Sequence, residues 1–135
     1  MEATRILLVD DDDETRELLG DFFGDRGYAV ETAADGANAL MRLATFAADL
    51  VITDLEMPGM SGLELIRSLH ATKQQTPVLL ITARGDRELE LSWLGRHAGF
   101  ECLRKPLDLD ALGKTVERMT ASPTLADSRA VRQNV

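Results

Sequence analysis

Short apolar runs alternate along this chain with stretches whose apolar residues recur at helical spacing. Residues 5–9, ending in Ile6-Leu7-Leu8-Val9, predict a strand covered on both faces, because the run is apolar without alternation. Residues 13–26 predict a helix with Leu18, Leu19, Phe22 and Phe23 on one face; Asp12 or Asp13 suits its N-cap and Gly27 its end. Tyr28 to Ala33 is a weaker strand pattern that suits a place nearer a sheet edge. Ala37 to Ala47 predicts a helix with Leu40, Leu43, Ala44 and Ala47 inward. Residues 49–53 predict a central strand, and Met57-Pro58-Gly59-Met60-Ser61-Gly62 is turn material. A helix follows with Leu63, Ile66 and Leu69–His70 on one side. Val78–Ile81 predicts a fourth strand, and 86–98 a helix with Leu91, Leu94 and Ala98 aligned. Glu101–Leu103 predicts a short strand and Asp108–Met119 a last helix, with Leu109, Leu112, Val116 and Met119 inward.

Strand then helix, repeated, favours a parallel sheet with helices on both faces. Right-handed crossovers leave few topologies, and in an open sheet of this kind the site lies at the carboxyl ends of the strands. Those ends carry the polar chemistry of the chain. Asp10-Asp11-Asp12-Asp13-Glu14 follows the first strand, Asp54 the third, Thr82 the fourth and Lys105 the fifth. Gathered carboxylates repel and need a cation or a proton to coexist. A hard divalent ion with oxygen ligands meets that need. Three acids, a hydroxyl and an amine at strand ends therefore read as a Mg²⁺-dependent phosphoryl site. The acids that follow, Asp12, Asp13 and Glu14, are accounted for by the first helix, whose N-terminus favours negative charge.

Composition adjusts this picture only slightly. The 135 residues are enough for one domain with a core, and a 44% hydrophobic, 28% charged composition suits a globular protein. A net charge of -8 argues against non-specific binding to nucleic acid or an anionic membrane. Cys102 is the single cysteine, so no intramolecular disulfide forms and a reducing compartment fits. The N-terminus has no signal-peptide pattern and no stretch approaches a membrane span, which makes a cytoplasmic location the expectation. After residue 119 the pattern fades, so 120–135 is expected to be a flexible tail or the start of a linker.

Four pieces in order then carry a resemblance: Leu8-Val9-Asp10-Asp11-Asp12, Asp49 to Gly62 with its Asp54-Leu55-Glu56-Met57-Pro58-Gly59-Met60-Ser61-Gly62 core, Thr82-Ala83, and Lys105-Pro106. Together the segment from about residue 5 to residue 119 resembles the receiver domain of bacterial response regulators. The resemblance implies a flavodoxin-like, doubly wound five-stranded parallel sheet of order 2-1-3-4-5, within a receiver domain at 1–119. It implies that Asp54 accepts a phosphoryl group from a sensor histidine kinase or a histidine phosphotransfer protein. It makes Asp10, Asp11 and Asp54 the Mg²⁺ ligands, joined by the backbone carbonyl of Glu56. Thr82 would bond a phosphoryl oxygen, and Lys105 another oxygen, or Asp54 itself before phosphorylation. It also implies a cis Lys105–Pro106 bond. Such a protein is a regulatory phosphoacceptor that catalyses its own phosphorylation and dephosphorylation, rather than a metabolic enzyme. Its downstream target or fused output domain is not written in these residues. No direct contact with nucleic acid is expected, and a homodimer is left open.

The segment departs from the family near its end. Receivers commonly carry Tyr or Phe three residues before the lysine, where this chain has Cys102, and Thr82 to Lys105 is one residue longer than usual. Conformational change is therefore expected in the loop and helix from Arg84 to Gly99, including Trp93. Two other readings compete with the receiver. Asp11-Asp12-Asp13-Glu14-Thr15 fits Asp-x-Asp-x-Thr of haloacid-dehalogenase-like phosphatases, but that reading leaves Asp54 unexplained and lacks the later acidic pair. A receiver-like interaction module that is never phosphorylated would be favoured by loss of Asp54, Lys105 or the acids, and none is lost.

Overall fold

The computed structural model describes residues 3–71, 76–83 and 100–121. In chain order they form β1 (Arg5–Val9), α1 (Asp13–Asp25), β2 (Ala29–Ala33), α2 (Gly36–Leu43), β3 (Leu50–Asp54), α3 (Gly62–Ala71), β4 (Val78–Thr82), β5 (Phe100–Arg104) and α4 (Leu109–Thr120). The expected helix over 86–98, with Trp93, lies outside the described residues, as does the tail beyond residue 121.

All five strands pair in parallel, as the alternation favoured, in the order β2-β1-β3-β4-β5 that the receiver resemblance implied. Because successive side chains of a strand point to opposite faces, each central strand feeds two cores. Ile6, Leu8, Leu50, Ile52, Leu79 and Ile81 join Leu19 and Phe23 of α1 and Leu112 and Val116 of α4. Leu7, Val9, Val51, Val78 and Leu80 join Ala39 of α2 and Leu63, Leu65, Ile66 and Leu69 of α3. β2 sits at the edge, as its weaker pattern suggested.

Two helices bury other residues than the periodicity predicts. Leu18 is 56% exposed rather than inward. It is a neighbour of Leu19 in sequence and so points about 100° away from the Leu19–Phe23 stripe that meets the sheet. Phe22 is half-buried, with the Arg26 guanidinium 4.3 Å above its ring. α2 stops at Leu43 instead of continuing to Ala47, and Ala44 and Ala47 are exposed. A turn closed by the Phe46 N–H on the Arg42 carbonyl at 2.8 Å delivers Phe46 to the core in their place.

Local chemistry sets the helix starts. Asp35 accepts the Asn38 N–H at 2.8 Å and caps α2; Asp108 accepts the Asp110 N–H at 2.9 Å and caps α4. Ser61 and Glu64 exchange bonds, Glu64 N–H to Ser61 Oγ at 3.2 Å and Ser61 N–H to Glu64 Oε1 at 2.9 Å. This capping box starts α3 directly after the β3 turn. Gly59 occupies the left-handed region at φ 76, which a side chain there would strain.

Candidate functional site

The register of the sheet assembles the site. Val9 is opposite Thr53, so the next residue on each strand, Asp10 and Asp54, stand side by side although 44 residues separate them. Asp54 in turn is opposite Ile81, which puts Thr82 one step further along β4. Thr82 is opposite Arg104, and the Lys105 N–H donates to the Thr82 carbonyl at 2.9 Å. Parallel strands with aligned ends thus place four separate sequence pieces at one edge.

Asp54 is nearly buried at 8% exposure, and its carboxylate is held from two sides. Lys105 Nζ donates to Oδ2 at 2.9 Å, and the Glu56 N–H donates to Oδ1 at 3.3 Å. Asp10 is 6% exposed and its Oδ1 accepts the Asp12 N–H at 2.9 Å. Oxygens of Asp10, Asp11 and Asp54 lie within 4.8 Å of one another, with Asp11 open to solvent. Thr82 is buried at the end of β4. The Lys105–Pro106 bond is cis, as the resemblance implied.

Crowding of like charge in a nearly dry corner has visible consequences. Burial pushes the Asp10 carboxyl above its ordinary value; the Asp12 N–H opposes this, and the charges of Asp54 and Asp11 add to it while Lys105 subtracts. For Lys105, burial works against the ammonium, but its bond to Asp54 and the charges of Asp54, Asp10 and Asp11 outweigh it, so the net shift is upward. Lys105 is therefore a cation at neutral pH and partly offsets the three acids.

Asp12 and Asp13 stand apart from this group. Asp12 accepts the Thr15 hydroxyl at 2.6 Å, which holds its carboxyl below the ordinary value, and Asp13 pairs with Arg16. The second aspartate of the phosphatase-like motif, Asp13, thus pairs with Arg16 in the first turn of α1 and is not one of the grouped acids Asp10, Asp11 and Asp54. Cys102 is half-buried against the core on the α2–α3 side of the sheet, and burial raises its thiol pKa. One residue that the motif reading passed over does reach this corner: Arg16 Nη1 donates to the Asp10 main-chain carbonyl at 2.7 Å. An arginine early in a helix that follows an acidic strand end was the available signal.

A parallel sheet of this order with three acids, a threonine and a lysine at its carboxyl edge defines a receiver. The chain belongs to the response regulator receiver domain family, which matches residues 6–117. It is 36% identical over 114 residues to the regulatory protein AtoC of Escherichia coli, covering 84% of this chain and 24% of AtoC. It is also 36% identical over 133 residues to the response regulator MprA of Mycobacterium tuberculosis, covering 96% of this chain and 57% of MprA. The chain therefore spans about a quarter of AtoC and little more than half of MprA. Among solved structures it is similar to the chemotaxis response regulator CheY4 of Vibrio cholerae, with TM-score 0.78 and 32% identity over 87% of this chain and 99% of that one. It is likewise similar to TrrA of Thermotoga maritima, solved in complex with Mg²⁺-BeF, with TM-score 0.76 and 36% identity over 86% of this chain and 98% of that one. No helix among the described residues is long and apolar enough to cross a membrane.

Proposed function

We propose that this chain is the phosphoacceptor of a two-component or phosphorelay system, with Asp54 as the residue that takes the phosphoryl group from a partner's phosphohistidine. The observation that carries the reading is the Asp54 carboxylate, oriented by Lys105 and the Glu56 N–H and set beside Asp10 and Asp11. In the transfer an Asp54 oxygen forms a bond to phosphorus as the phosphorus–nitrogen bond breaks, and the imidazole leaves with the electron pair. A carboxylate is a weak nucleophile, so positioning and charge compensation carry most of the catalysis. Lys105, released from Asp54, pairs with a phosphoryl oxygen, and the Thr82 hydroxyl donates to another.

The donor set fits Mg²⁺: hard oxygens, two of the three carboxylates nearly buried, all within reach of one ion, which needs few protein ligands and keeps its waters. Asp10, Asp11 and Asp54 would hold it with the Glu56 carbonyl. When bound, it supplies positive charge where charge builds on the phosphoryl oxygens. The TrrA structure with Mg²⁺-BeF, a phosphoryl mimic on a homologous fold, supports this reading. Residues 1–119 would be the receiver, and 120–135 a tail or the start of a linker. The partner that supplies phosphate is a sensor histidine kinase or phosphotransfer protein. The output lies in a separate target or, as the longer AtoC and MprA suggest, in further chain.

The test is incubation with acetyl phosphate or a cognate kinase and Mg²⁺, with the label mapped by mass spectrometry. Label on Asp54, lost in Asp54→Ala, is expected. Undiminished labelling of Asp54→Ala at another residue would overturn the assignment.

A further inference from the structure

Arg16 stands outside the four motif pieces, yet α1 carries it back under the acidic loop. One nitrogen of its guanidinium donates to the Asp10 carbonyl at 2.7 Å and the other pairs with Asp13. The Asp10 N–H goes to the Ala33 carbonyl at 3.1 Å and Asp10 Oδ1 takes the Asp12 N–H at 2.9 Å. With Arg16 on its carbonyl, both main-chain groups and one side-chain oxygen of Asp10 are tied. That carbonyl belongs to a residue 6% exposed and lies where the β1 ladder has ended, so a side chain replaces the missing strand partner.

An ordinary surface ion pair would not be worth remark, since Asp13 is 89% exposed and pairs one helical turn apart contribute little. Two features separate Arg16 from that case. Its side chain is four-fifths covered, at 20% exposure, and its second donor lands on the main chain of a candidate ligand. A planar fork can span the Asp10 carbonyl and the Asp13 carboxylate together; a lysine ammonium serves one at a time. We propose that Arg16 is a positioning residue for the cation site, fixing the path of residues 10–13 and hence how Asp10 and Asp11 meet Asp54. The proposal rests on the reading of those three acids as the Mg²⁺ ligands. Groups that orient metal ligands from behind are worth about 10- to 100-fold in metal affinity.

The experiment is calorimetric Mg²⁺ titration of the wild type, Arg16→Gln and Arg16→Lys, with urea unfolding in chelator to establish that each variant is folded. Arg16→Gln should bind Mg²⁺ about tenfold or more weaker, and Arg16→Lys should recover part of the loss, because one donor still reaches the Asp10 carbonyl. Phosphoryl uptake from acetyl phosphate should need more Mg²⁺ for half-maximal rate in both variants, while the rate at saturating Mg²⁺ approaches that of the wild type. A residue that only supports the fold would lower stability in chelator and leave Mg²⁺ affinity unchanged in the folded protein. Wild-type affinity in both variants overturns the proposal. Should Arg16→Gln not fold, wild-type affinity in Arg16→Lys overturns it alone. A wild type that does not respond to Mg²⁺ overturns the cation-site reading itself, a result distinct from unaltered variants of a responding protein.

Discussion

Replacing Asp10 with asparagine should stabilise the metal-free protein while damaging its response to Mg²⁺. Asn keeps the shape and keeps an oxygen to accept the Asp12 N–H, so the substitution removes chiefly charge. That charge is nearly buried and lies within 4.8 Å of the Asp54 carboxylate. Two unit charges at that separation repel by about 3.5 kcal/mol at an effective dielectric constant of about 20. Lys105, bonded to Asp54 and attractive to Asp10, offsets part of this. A net gain of about 1–2 kcal/mol in chelator is expected.

The pH dependence provides a second check. Burial, with Asp54 and Asp11 adding to it, holds the folded pKa of Asp10 above its ordinary 3.8. The folded state therefore binds a proton more readily than the unfolded state. Wild-type stability is lowered at pH above the folded pKa and is regained as pH falls through it toward 3.8. The advantage of Asp10→Asn should be full at neutral pH and close over that window. Urea unfolding in chelator across the acidic range measures it. With Mg²⁺ at a hundredfold Kd the wild type should gain about 2.7 kcal/mol and the variant clearly less. An Asp10→Asn protein no more stable than wild type at neutral pH, or an advantage that persists unchanged in acid, would rule out charge repulsion at Asp10 as the source.

Two further outcomes test the surroundings of the site. Gly62→Ala would bring a Cβ to 2.3 Å from the Asp54 carbonyl and 3.0 Å from Leu80 Cδ1. A backbone atom cannot yield as a side chain can, so a loss of about 1–3 kcal/mol in urea unfolding and slower Asp54 labelling are expected; wild-type stability would show that the β3–α3 turn relaxes freely. Glu101 receives Arg118 Nη2 at 2.8 Å, and that bond holds its carboxyl below the ordinary 4.5. Its small contribution should be present above that value and lost as pH falls through the folded pKa, so Glu101→Gln and wild type should converge in acid and, with screening, in high salt. A difference that ignores both pH and salt would remove the ion pair as its source.

The order and type of the described elements, the parallel pairing and the strand ends that carry the polar groups are written in local periodicity, which does not require knowing what touches what. The strand order came only with the receiver resemblance. Ser61, expected only as turn material, also forms a capping box with Glu64 three residues later. Tertiary structure decided the rest. It chose between the adjacent Leu18 and Leu19, because a helix packed on a sheet buries a stripe narrower than its apolar residues. It ended α2 early so that Phe46 rather than Ala47 reached the core. Strand register set Asp10 beside Asp54 and Lys105 on its carboxylate, since alignment between strands is a property of pairs, not of either segment. Arg16 belongs to the same class. Its bond to the Asp10 carbonyl exists because α1 folds back over the end of β1, where the ladder leaves a nearly buried acceptor without a strand partner.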